Sequence, residues 1–481
     1  CLIGGVTASV LMFKPFPGFD IRAEDTGIFT PSDNPNEPIG TARGIFPGRV
    51  AWAYDSSACT WDGRSNYWWS EKFNDQTKIS ALLEKTVCSV AGKNTVAEAW
   101  DTLFKYYNKN GNGYVAGEKI AIKLNLNNGG NSNAIDASPQ SVYALLDQLV
   151  NSYGVQQRDI ILCDPARENK ITAVKNYCMK IFPDVKYNTN LGGFTQSLKL
   201  AKNNANERSL SNAIISSKYL ITLAILKRHC TPSRTWGTDG VDYGNASVTL
   251  IFKSSWGIIG SRRSSMHPLL HDWKTGMNSY SVLTDIYASK HIDGKTVLCI
   301  LDGLYSGDRW NSKPRKWSIA PFNNHYPSSM FASQDPVALE SVGLDFLNAE
   351  MDLFRNADLT LHEAAQADNP PSGIQYQPDG QKVSSLGVHE HWNNKFDKKY
   401  SRNLGTGNGI ELINCNEITK VKPIQNISTP SIHQTSKTVE YNLKGQVIKM
   451  GSLNNGNKTA RSKGFYIKNN SVSSERSVEV E

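Results

Sequence analysis

The chain has 481 residues, of which 39% are hydrophobic and 20% charged, and this composition excludes a disordered or fibrous protein. The formal net charge of +8 favours an anionic partner such as a phosphate ligand or an acidic polysaccharide, with a solvated basic surface as the alternative. The sequence holds no long Lys/Arg block and no nucleic-acid-binding motif, so no nucleic acid is predicted as a partner.

The beginning of the sequence predicts export. CLIGGVTASVLMF is a cysteine followed by mostly apolar residues and is too short to span a membrane. Residues 1–25 are expected to be either a lipoprotein N-terminus with a lipidated Cys1, which would attach the protein to a membrane, or the remnant of an export signal. Both alternatives place the protein in the periplasm or at the outer cell surface.

The main body, residues 40–418, is predicted to be an α/β domain with a mostly parallel sheet flanked by helices. Strand-like segments alternate with amphipathic ones, and two helices carry clear start signals, Ser138 with Pro139 and Asp335 with Pro336. The segments that read as strands are RVAWAYD, GEKIAIKLNLNNGG, RDIILCDPAR, NAIISSKYLITLAILKRHC and KTVLCILDGLYSG. Trp52 and Tyr54 of the first, with Trp61, Trp68 and Trp69 close behind them, are expected to belong to the core or to wall a sugar subsite.

Several of these strands end in polar residues. Alternation along a strand predicts that Lys123 and Asn125 share one side, and that Lys227 and His229 point together while Arg228 points away. Since ligands of open α/β sheets bind beyond the carboxyl ends of the strands, these groups are predicted to line one crevice together with Asp164, Arg167 and Asp302. The alternative is that the lysines reach solvent, the aspartates cap the next helices and His229 is a hydrogen-bonded rim residue.

Two later segments add candidate residues. In VHEHWNN, His389 and His391 share one side of an extended chain, which favours half of a metal site, an acid/base pair or a loop held by hydrogen-bonded histidines. YSRNLG offers Tyr400, Arg402 and Asn403 as partners for a sugar carboxylate. In SRRSSMHPLLHDW, Pro268 argues against a helix that would bring His267 and His271 together, so metal binding by that pair is not predicted.

The eight cysteines show no C-x-x-C pair and no spacing typical of a zinc or iron–sulfur site. Most are expected to be small buried side chains, with one or two disulfides left open in an oxidising compartment. We assign no cofactor and no metal ligands from the sequence.

The end of the sequence changes in character after the main body. Residues 419–438, which include KPIQNISTPSIHQTSK, are predicted to be a linker. Residues 439–481 read as short strands broken by Asn-Gly turns, and they resemble the C-terminal sorting tail of secreted Bacteroidota proteins.

The main body also resembles a known family. IKLNLN, IILCDPAR, YLITLAILKRHCTPS, NASVTLIFKSSWGIIG and FASQDPVALESVGLDFL are similar, in order and spacing, to the family called domain of unknown function 362. Flanking segments resemble its exported branch and extend the similarity from about residue 40 to residue 415. Two departures matter: this chain lacks the ferredoxin-type cysteine clusters of many cytoplasmic relatives, and Ser254 follows Lys253 where the family has Asn.

Through its exported members the resemblance implies a lyase of the type of polysaccharide lyase family 27, which acts on rhamnosyl-glucuronate ends of arabinogalactan. Such an enzyme neutralises the uronate carboxylate, removes the proton at C5 and expels the group at C4. The partner is then an acidic polysaccharide or oligosaccharide. The candidate catalytic residues are His229, Lys227, Tyr243, His389 and His391, and the candidate substrate-binding residues are Lys123, Asn125, Arg228, Lys253, His267, Tyr400, Arg402 and Asn403.

Three alternatives stay open from the sequence. The first is a metal or iron–sulfur redox protein, by analogy with the cluster-bearing relatives. The second is a non-catalytic glycan-binding lipoprotein. The third is a hydrolase with two carboxylates, for which Asp164, Asp302 and Glu390 are available.

Overall fold

A computed structural model describes residues 28–129, 133–187, 193–202, 208–229, 247–260 and 276–417, together with four short strands beyond residue 436. The chain divides into two compact units, residues 1–421 and residues 422–481. The predicted export segment 1–25 lies outside the described residues, and so do most of the linker and most of the predicted tail. No helix in the described part of the chain is long and apolar enough to cross a membrane.

The first unit is built on a seven-stranded sheet. In chain order its strands are β1 Arg49–Tyr54, β2 Ile120–Lys123, β3 Ile160–Cys163, β4 Tyr219–Ile225, β5 Thr296–Gly303, β6 Ser329–Ser333 and β7 Glu411–Asn414. Their order across the sheet is β7-β1-β6-β5-β4-β2-β3. All neighbours are parallel except at β6, which runs against both β1 and β5. The mixed α/β fold with a mostly parallel sheet is therefore confirmed, with one reversed strand that the sequence did not indicate.

Ten α-helices are found among the described residues. They are α1 Gln76–Ala91, α2 Val96–Asn108, α3 Pro139–Asp147, α4 Thr172–Cys178, α5 Asn212–Ile215, α6 Ile251–Ser255, α7 Val282–Tyr287, α8 Pro336–Glu350, α9 Leu359–Ala365 and α10 Ser401–Leu404. The two predicted start signals are confirmed: the Ser138 hydroxyl accepts a hydrogen bond from the Gln140 N–H, and the Asp335 carboxylate accepts one from the Ala338 N–H.

Shorter elements complete the described part. Short 3₁₀ or π segments cover Glu71–Phe73, Gln148–Ser152, Gln157–Asp159, Pro165–Lys170, Trp256–Ile258 and Asp293–Lys295. Antiparallel strand pairs join Ile39–Gly40 to Val388–His389, Phe194–Leu198 to Arg208–Ser211, Lys227–Arg228 to Val248–Thr249, Lys437–Tyr441 to Val447–Ser452, and Tyr466–Ile467 to Val478–Glu479.

The sheet separates two hydrophobic cores. All seven residues of β4 are buried, and they alternate, so that Leu220 and Ala224 enter one core while Ile221 and Leu223 enter the other. Helices α1 to α4 contribute to the core on the Ile221 side, and α5 to α9 to the core on the opposite side. A sheet buried on both faces leaves mainly its edges and strand ends for ligands.

Of the alternatives predicted for the aromatic and cysteine side chains, the structure shows burial in the hydrophobic core for those named here. Trp52, Trp61 and Trp68 are core residues. The six cysteines within the described ranges, at residues 59, 88, 163, 178, 299 and 415, are buried and free.

Candidate active site and a buried histidine cluster

The carboxyl ends of β2 and β3 are joined by a buried ion pair. Lys123 Nζ lies 3.2 Å from Asp164 Oδ1. Asp164 Oδ2 accepts a hydrogen bond of 2.8 Å from the Leu126 N–H, and Asn125 Oδ1 accepts one of 2.6 Å from the Ser254 hydroxyl. Lys123 Nζ is also 3.4 Å from Ser254 Oγ, so the structure brings together two of the predicted substrate-binding residues, Lys123 and Asn125.

Lys227 forms a second buried cation at this end of the sheet. Its Nζ donates hydrogen bonds to the carbonyl oxygens of Ile135 at 2.6 Å and Trp310 at 2.9 Å. Burial lowers the pKa of Lys227 to about 8, against the opposing charge of Asp136. Burial likewise raises the pKa of Asp136 to about 6, against the opposing charge of Lys227. The Lys227 ammonium therefore begins to lose its charge just above neutral pH.

Three half-buried basic side chains belong to segments that follow or contact these strand ends. His229 Nδ1 lies 2.8 Å from Thr249 Oγ1. Lys253, on α6 next to Ser254, has its Nζ 5.3 Å from the centroid of the Trp256 ring. The Nε of Arg167 donates a hydrogen bond of 2.8 Å to the Asn127 side chain. We define the "basic rim" as Arg167, His229 and Lys253.

Two polar strand-end residues are engaged elsewhere. The Arg228 side chain donates hydrogen bonds to the carbonyl oxygens of Asp308, at 2.9 Å, and Asp352, so it holds two loops. Asp302 accepts hydrogen bonds from the N–H of Ser138 at 3.1 Å and from the hydroxyl of Ser141 at 2.6 Å. Asp302 thus stabilises the start of α3, which precedes it in the chain, and not the next helix as in the capping alternative, and we do not assign it to the crevice.

The residues Tyr400, Arg402 and Asn403 use their polar groups within the protein. The Tyr400 hydroxyl donates to Asp345 Oδ2 at 2.9 Å, and Arg402 donates to the carbonyl oxygens of Asn408 and Gly409 at 2.8 Å and 3.2 Å. Asn403 exchanges two hydrogen bonds of 3.0 Å with the backbone of Leu412. Because these groups already have partners, we do not place the three residues in a substrate site.

Two candidates, Tyr243 and His267, lie outside the described residues.

A surface pocket opens beyond the end of β1. It has a volume of about 320 Å³, and its lining includes Tyr54, Asp55, Lys78, Lys85 and Asn416. Of the pair predicted as a sugar wall, Tyr54 contributes to this pocket, whereas Trp52 is a core residue.

His389 and His391 lie together in the protein interior. Their exposed fractions are 0% and 3%, and their ring centroids are 4.8 Å apart. The ring of His362, on α9, has its centroid 5.0 Å from that of His389. Glu390 points the other way, where its carboxylate accepts hydrogen bonds from the Ser401 hydroxyl at 3.0 Å and from the Ile410 N–H.

One nitrogen of each of these two histidines is held by a neighbour on α8. His391 Nδ1 lies 2.6 Å from Asp345 Oδ1. His389 Nδ1 lies 2.8 Å from Ser341 Oγ, whose own hydroxyl hydrogen is donated to the Val337 carbonyl. The Ser341 oxygen must therefore accept from His389, which puts the proton of neutral His389 on Nδ1 and a lone pair on Nε2.

The remaining nitrogens face two carboxylates. His362 Nε2 lies 2.9 Å from Asp33 Oδ2 and 3.6 Å from Asp358 Oδ2, and His391 Nε2 also lies 3.6 Å from Asp358 Oδ2. Within the described residues, the Nε2 atoms of all three histidines and Asp358 Oδ2 are buried without a hydrogen-bond partner. We call Asp33, Asp358, His362, His389 and His391 the "histidine cluster".

The protonation of the cluster follows from burial and charge. Burial, with the charges of His391 and His362, lowers the pKa of His389 well below its usual value. Burial would also lower the pKa of His391, but Asp345 and Asp358 outweigh it and raise that pKa to about 10. Burial would raise the pKa of Asp358, but the neighbouring His362 and His391 outweigh it and hold that pKa below its usual range.

Sequence reasoning found only part of this cluster. The spacing of His389 and His391 was the signal, because it requires no knowledge of the fold. Asp33, Asp358 and His362 belong to no recognisable motif and reach the cluster only through the packing of α9 and of the segment that contains Asp33.

No protein-family model matches the chain, and no curated protein matches it. The resemblance to the domain of unknown function 362 family therefore stays a prediction from the sequence motifs.

Proposed function

We propose that this chain is an exported polysaccharide lyase that cleaves a uronic-acid-containing glycan by β-elimination, for example at L-rhamnose-α-1,4-D-glucuronate ends of arabinogalactan. The observation that supports the proposal is the basic carboxyl end of the sheet. Lys123 and Lys227 are buried cations there, and Ser254, which lies 3.4 Å from Lys123 Nζ, is next in the chain to Lys253 of the half-buried basic rim.

The charge balance at this end of the sheet favours binding of a carboxylate. Lys123 is paired with Asp164, and the charge of Lys227 is opposed by that of Asp136. These buried charges oppose one another, and the basic rim adds the positive charges of Lys253 and Arg167 to the attraction for a uronate carboxylate. In this mechanism Lys253 and Arg167 neutralise the carboxylate, and Asn125 donates a hydrogen bond from its amide.

Proton removal at C5 is assigned to His229. An imidazole is suited to act as a base near neutral pH, and Thr249 Oγ1 holds one nitrogen of its ring at 2.8 Å. Lys227 is 2% exposed and donates to two carbonyl groups, so its role is to set the electrostatic potential beneath the site. The sequence names Tyr243 as a candidate acid or base, and with His229 as the base we propose Tyr243 as the acid for the leaving oxygen.

The experiment is an assay of the purified protein on a panel of uronic polysaccharides that includes glucuronate-bearing arabinogalactan. β-Elimination creates a C=C bond conjugated to the carboxylate, so product should appear as ultraviolet absorbance. New reducing ends without that absorbance would indicate hydrolysis, and binding without product would indicate a glycan-binding protein. Either result, or silence across the whole panel, contradicts the lyase proposal.

Two variants test the assigned roles. His229→Asn should lower kcat by about 10²- to 10⁴-fold, the usual contribution of a general base. Lys253→Met should mainly raise KM for the anionic substrate, because it removes charge from the rim. The matched control is Lys105→Met, which removes a half-exposed lysine from α2 and should change neither constant.

A further inference from the structure

The histidine cluster has no part in the proposed lyase mechanism and calls for its own explanation. We propose that His362, His389 and His391, with Asp358 and Asp33, bind one divalent transition-metal ion of the zinc class. This proposal is independent of the proposed function, because it rests on other residues and is tested by metal binding.

The histidine cluster contains several polar atoms that could bind a metal ion and have no hydrogen-bond partner in the part of the chain that the structure describes. Three imidazole nitrogens and one carboxylate oxygen are buried without a hydrogen-bond partner among the described residues. Buried polar atoms in native proteins are almost always paired, so several such atoms in one cluster indicate a missing partner. A cation bound in either of the two ligand groups of this cluster would supply such a partner.

The rings of His389 and His391 are held in the way that metal-binding histidines usually are. Histidines that bind metals usually donate their other ring N–H to a carboxylate, a hydroxyl or a carbonyl group. His391 meets Asp345 in this way, and His389 meets Ser341. The lone pair of His389 Nε2 is therefore directed at the cluster, as metal ligation requires.

The distances between the possible ligand atoms are close to those around a metal ion. Two ligand atoms at about 2.0 Å from a tetrahedral ion lie about 3.3 Å apart. Asp358 Oδ2 lies 3.6 Å from the Nε2 atoms of both His362 and His391, and Asp33 Oδ2 lies 2.9 Å from His362 Nε2. In each of two overlapping groups, Asp33 with His362 and His389, and Asp358 with His389 and His391, all ligand atoms lie within 4.8 Å of one another.

The ligand types select the metal. Imidazole nitrogens suit Zn²⁺, Fe²⁺, Ni²⁺ and Cu²⁺, whereas Mg²⁺ and Ca²⁺ require mainly oxygen ligands. A set of three histidines with carboxylates, and no cysteine, therefore indicates a borderline first-row ion, for which Zn²⁺ is the representative probe.

The ion would join three segments of the chain. Asp33 lies in an irregular segment that is tied to the body by the Phe29 N–H to the Leu353 carbonyl and by the Asn36 N–H to the His391 carbonyl, both 2.9 Å. His362 lies on α9, and His389 ends a two-residue strand. The side chain of Asp33 is 30% exposed, so this carboxylate forms the edge at which the ion meets solvent.

The test begins with the purified full chain. Elemental analysis should find about one transition-metal ion per chain, and the protein treated with a chelator should bind one equivalent of Zn²⁺ in a calorimetric titration. Co²⁺ added in place of Zn²⁺ should give visible absorption from a site of nitrogen and oxygen ligands. Absence of stoichiometric binding of either ion by the wild-type chain overturns the proposal.

Variants then assign the ligands. His389→Gln and His391→Gln should abolish stoichiometric Zn²⁺ binding and the Co²⁺ absorption. The matched control is His325→Gln, an exposed histidine outside the cluster, which should leave both unchanged. Unchanged binding in the two cluster variants overturns the proposal.

A variant at the partly exposed edge keeps the test decisive if the buried variants fail to fold. Asp33→Asn should weaken Zn²⁺ binding by at least about 10-fold, since even outer partners of metal ligands typically contribute that much. Circular dichroism should show that this variant is folded. A folded Asp33→Asn protein with unaltered Zn²⁺ affinity contradicts the ligand set proposed here.

Discussion

Asp345 is a single buried carboxylate that serves three donors. It accepts hydrogen bonds from His391 Nδ1 at 2.6 Å, from the Trp392 N–H at 3.0 Å and from the Tyr400 hydroxyl at 2.9 Å. A buried carboxylate is stable only when its oxygens are well supplied with donors. Tyr400 is therefore best understood as one of the groups that keep Asp345 in place behind the histidine cluster.

Tyr400→Phe tests this structural role. It removes one donor and leaves the ring, so the free energy of unfolding should fall by about 1–3 kcal/mol, as measured by urea denaturation. Activity per folded molecule on the uronic substrate should stay at the wild-type value, because the hydroxyl faces Asp345. A variant that keeps wild-type stability but has a higher KM would return Tyr400 to the substrate site.

Gly257 allows the turn after α6 to approach the Lys123–Asp164 ion pair. A Cβ atom added there would lie 2.2 Å from Asp164 Oδ1 and 2.9 Å from Lys123 Nζ. Gly257→Ala should therefore disrupt the pair and lower the free energy of unfolding by about 3–5 kcal/mol, the range expected when a buried pair is broken. Thermal unfolding followed by circular dichroism measures the effect.

The control for this substitution is Gly276→Ala. Gly276 also has no left-handed backbone angle, and among the residues that the structure describes, a Cβ added there meets nothing within 4 Å. Its substitution should be neutral or slightly stabilising. Equal effects of the two substitutions would show that the contact with the ion pair is not what matters at Gly257.

At the residue level, the sequence predicted which way a side chain points better than it predicted how deeply that side chain is buried. Alternation indicated that Lys123 shares a side with Asn125, and both indeed meet Ser254. The same reasoning made Lys227 and His229 equivalent, whereas the structure buries Lys227 under the Trp310 carbonyl and leaves His229 half-buried. Depth depends on which loops cover a strand end, and that is information from distant parts of the chain.

Helix α8 is the element that organises the histidine cluster from behind. Ser341 and Asp345 are four residues apart, so they lie on the same face of the helix and meet His389 and His391 respectively. Glu340 points elsewhere and accepts a hydrogen bond of 2.7 Å from the Phe252 N–H at the start of α6. One helix therefore supports the cluster on one face and fixes α6 on another.

Glu340 makes the contact between α8 and the start of α6 sensitive to pH. Burial raises the pKa of Glu340 from 4.5 to about 8, against the N–H groups of Phe252 and Ile251. The folded protein thus holds the proton more tightly than the unfolded chain, so this contribution to stability is complete below about pH 4.5 and is lost as the pH rises towards 8. Glutamine has no such proton to lose.

Glu340→Gln should consequently gain in melting temperature relative to the wild type as the pH is raised from 5 to 8. Differential scanning calorimetry at several pH values measures the difference. The control is Glu84→Gln, on the exposed face of α1. A difference between Glu340→Gln and wild type that stays constant over this range would contradict the prediction.

Element boundaries followed local chemistry where the sequence carried it. The Ser138–Pro139 and Asp335–Pro336 signals marked the starts of α3 and α8 because a cap acts within one turn. The pairing of Lys227–Arg228 with Val248–Thr249 has no local signal, since it joins segments that are distant in the chain and only two residues long.

On the scale of the whole molecule, β7 is the edge strand at one side of the sheet and covers the edge of β1. β7 pairs in parallel with β1, and the Arg49 side chain forms an ion pair of 2.7 Å with Glu411. The Cys415 N–H donates a further hydrogen bond of 2.7 Å to the Trp52 carbonyl. Without β7, strand β1 would become an open edge.

Truncation tests this role of β7. A chain that ends at residue 410 lacks β7 and its buried Leu412, and it should lose at least about 3 kcal/mol of unfolding free energy and aggregate more readily. A chain that ends at residue 421 keeps the complete first unit and should melt at the wild-type temperature. Similar behaviour of the two chains in calorimetry would show that β7 is dispensable.

The fold class was predictable because the strands of a sheet buried on both faces are continuous apolar runs, as in the IILC of β3 and the YLITLAI of β4. The reversal of β6 was not predictable, since nothing in the residues SMFAS indicates whether the strand runs parallel or antiparallel to its neighbours. The cluster of Asp33, Asp358 and His362 was equally hidden, because only the tertiary fold brings those side chains together.

The reversed strand β6 has a consequence for how such a protein can change during evolution. Because Ser329 begins β6 opposite Gly303, where β5 ends, residues 304–328 connect the two strands at the carboxyl end of the sheet. Their backbone carbonyls, at Asp308 and Trp310, receive the side chains of Arg228 and Lys227. Backbone contacts tolerate side-chain replacement, so this connection can acquire new residues over the crevice, and new ligand preferences, while the sheet below it stays the same.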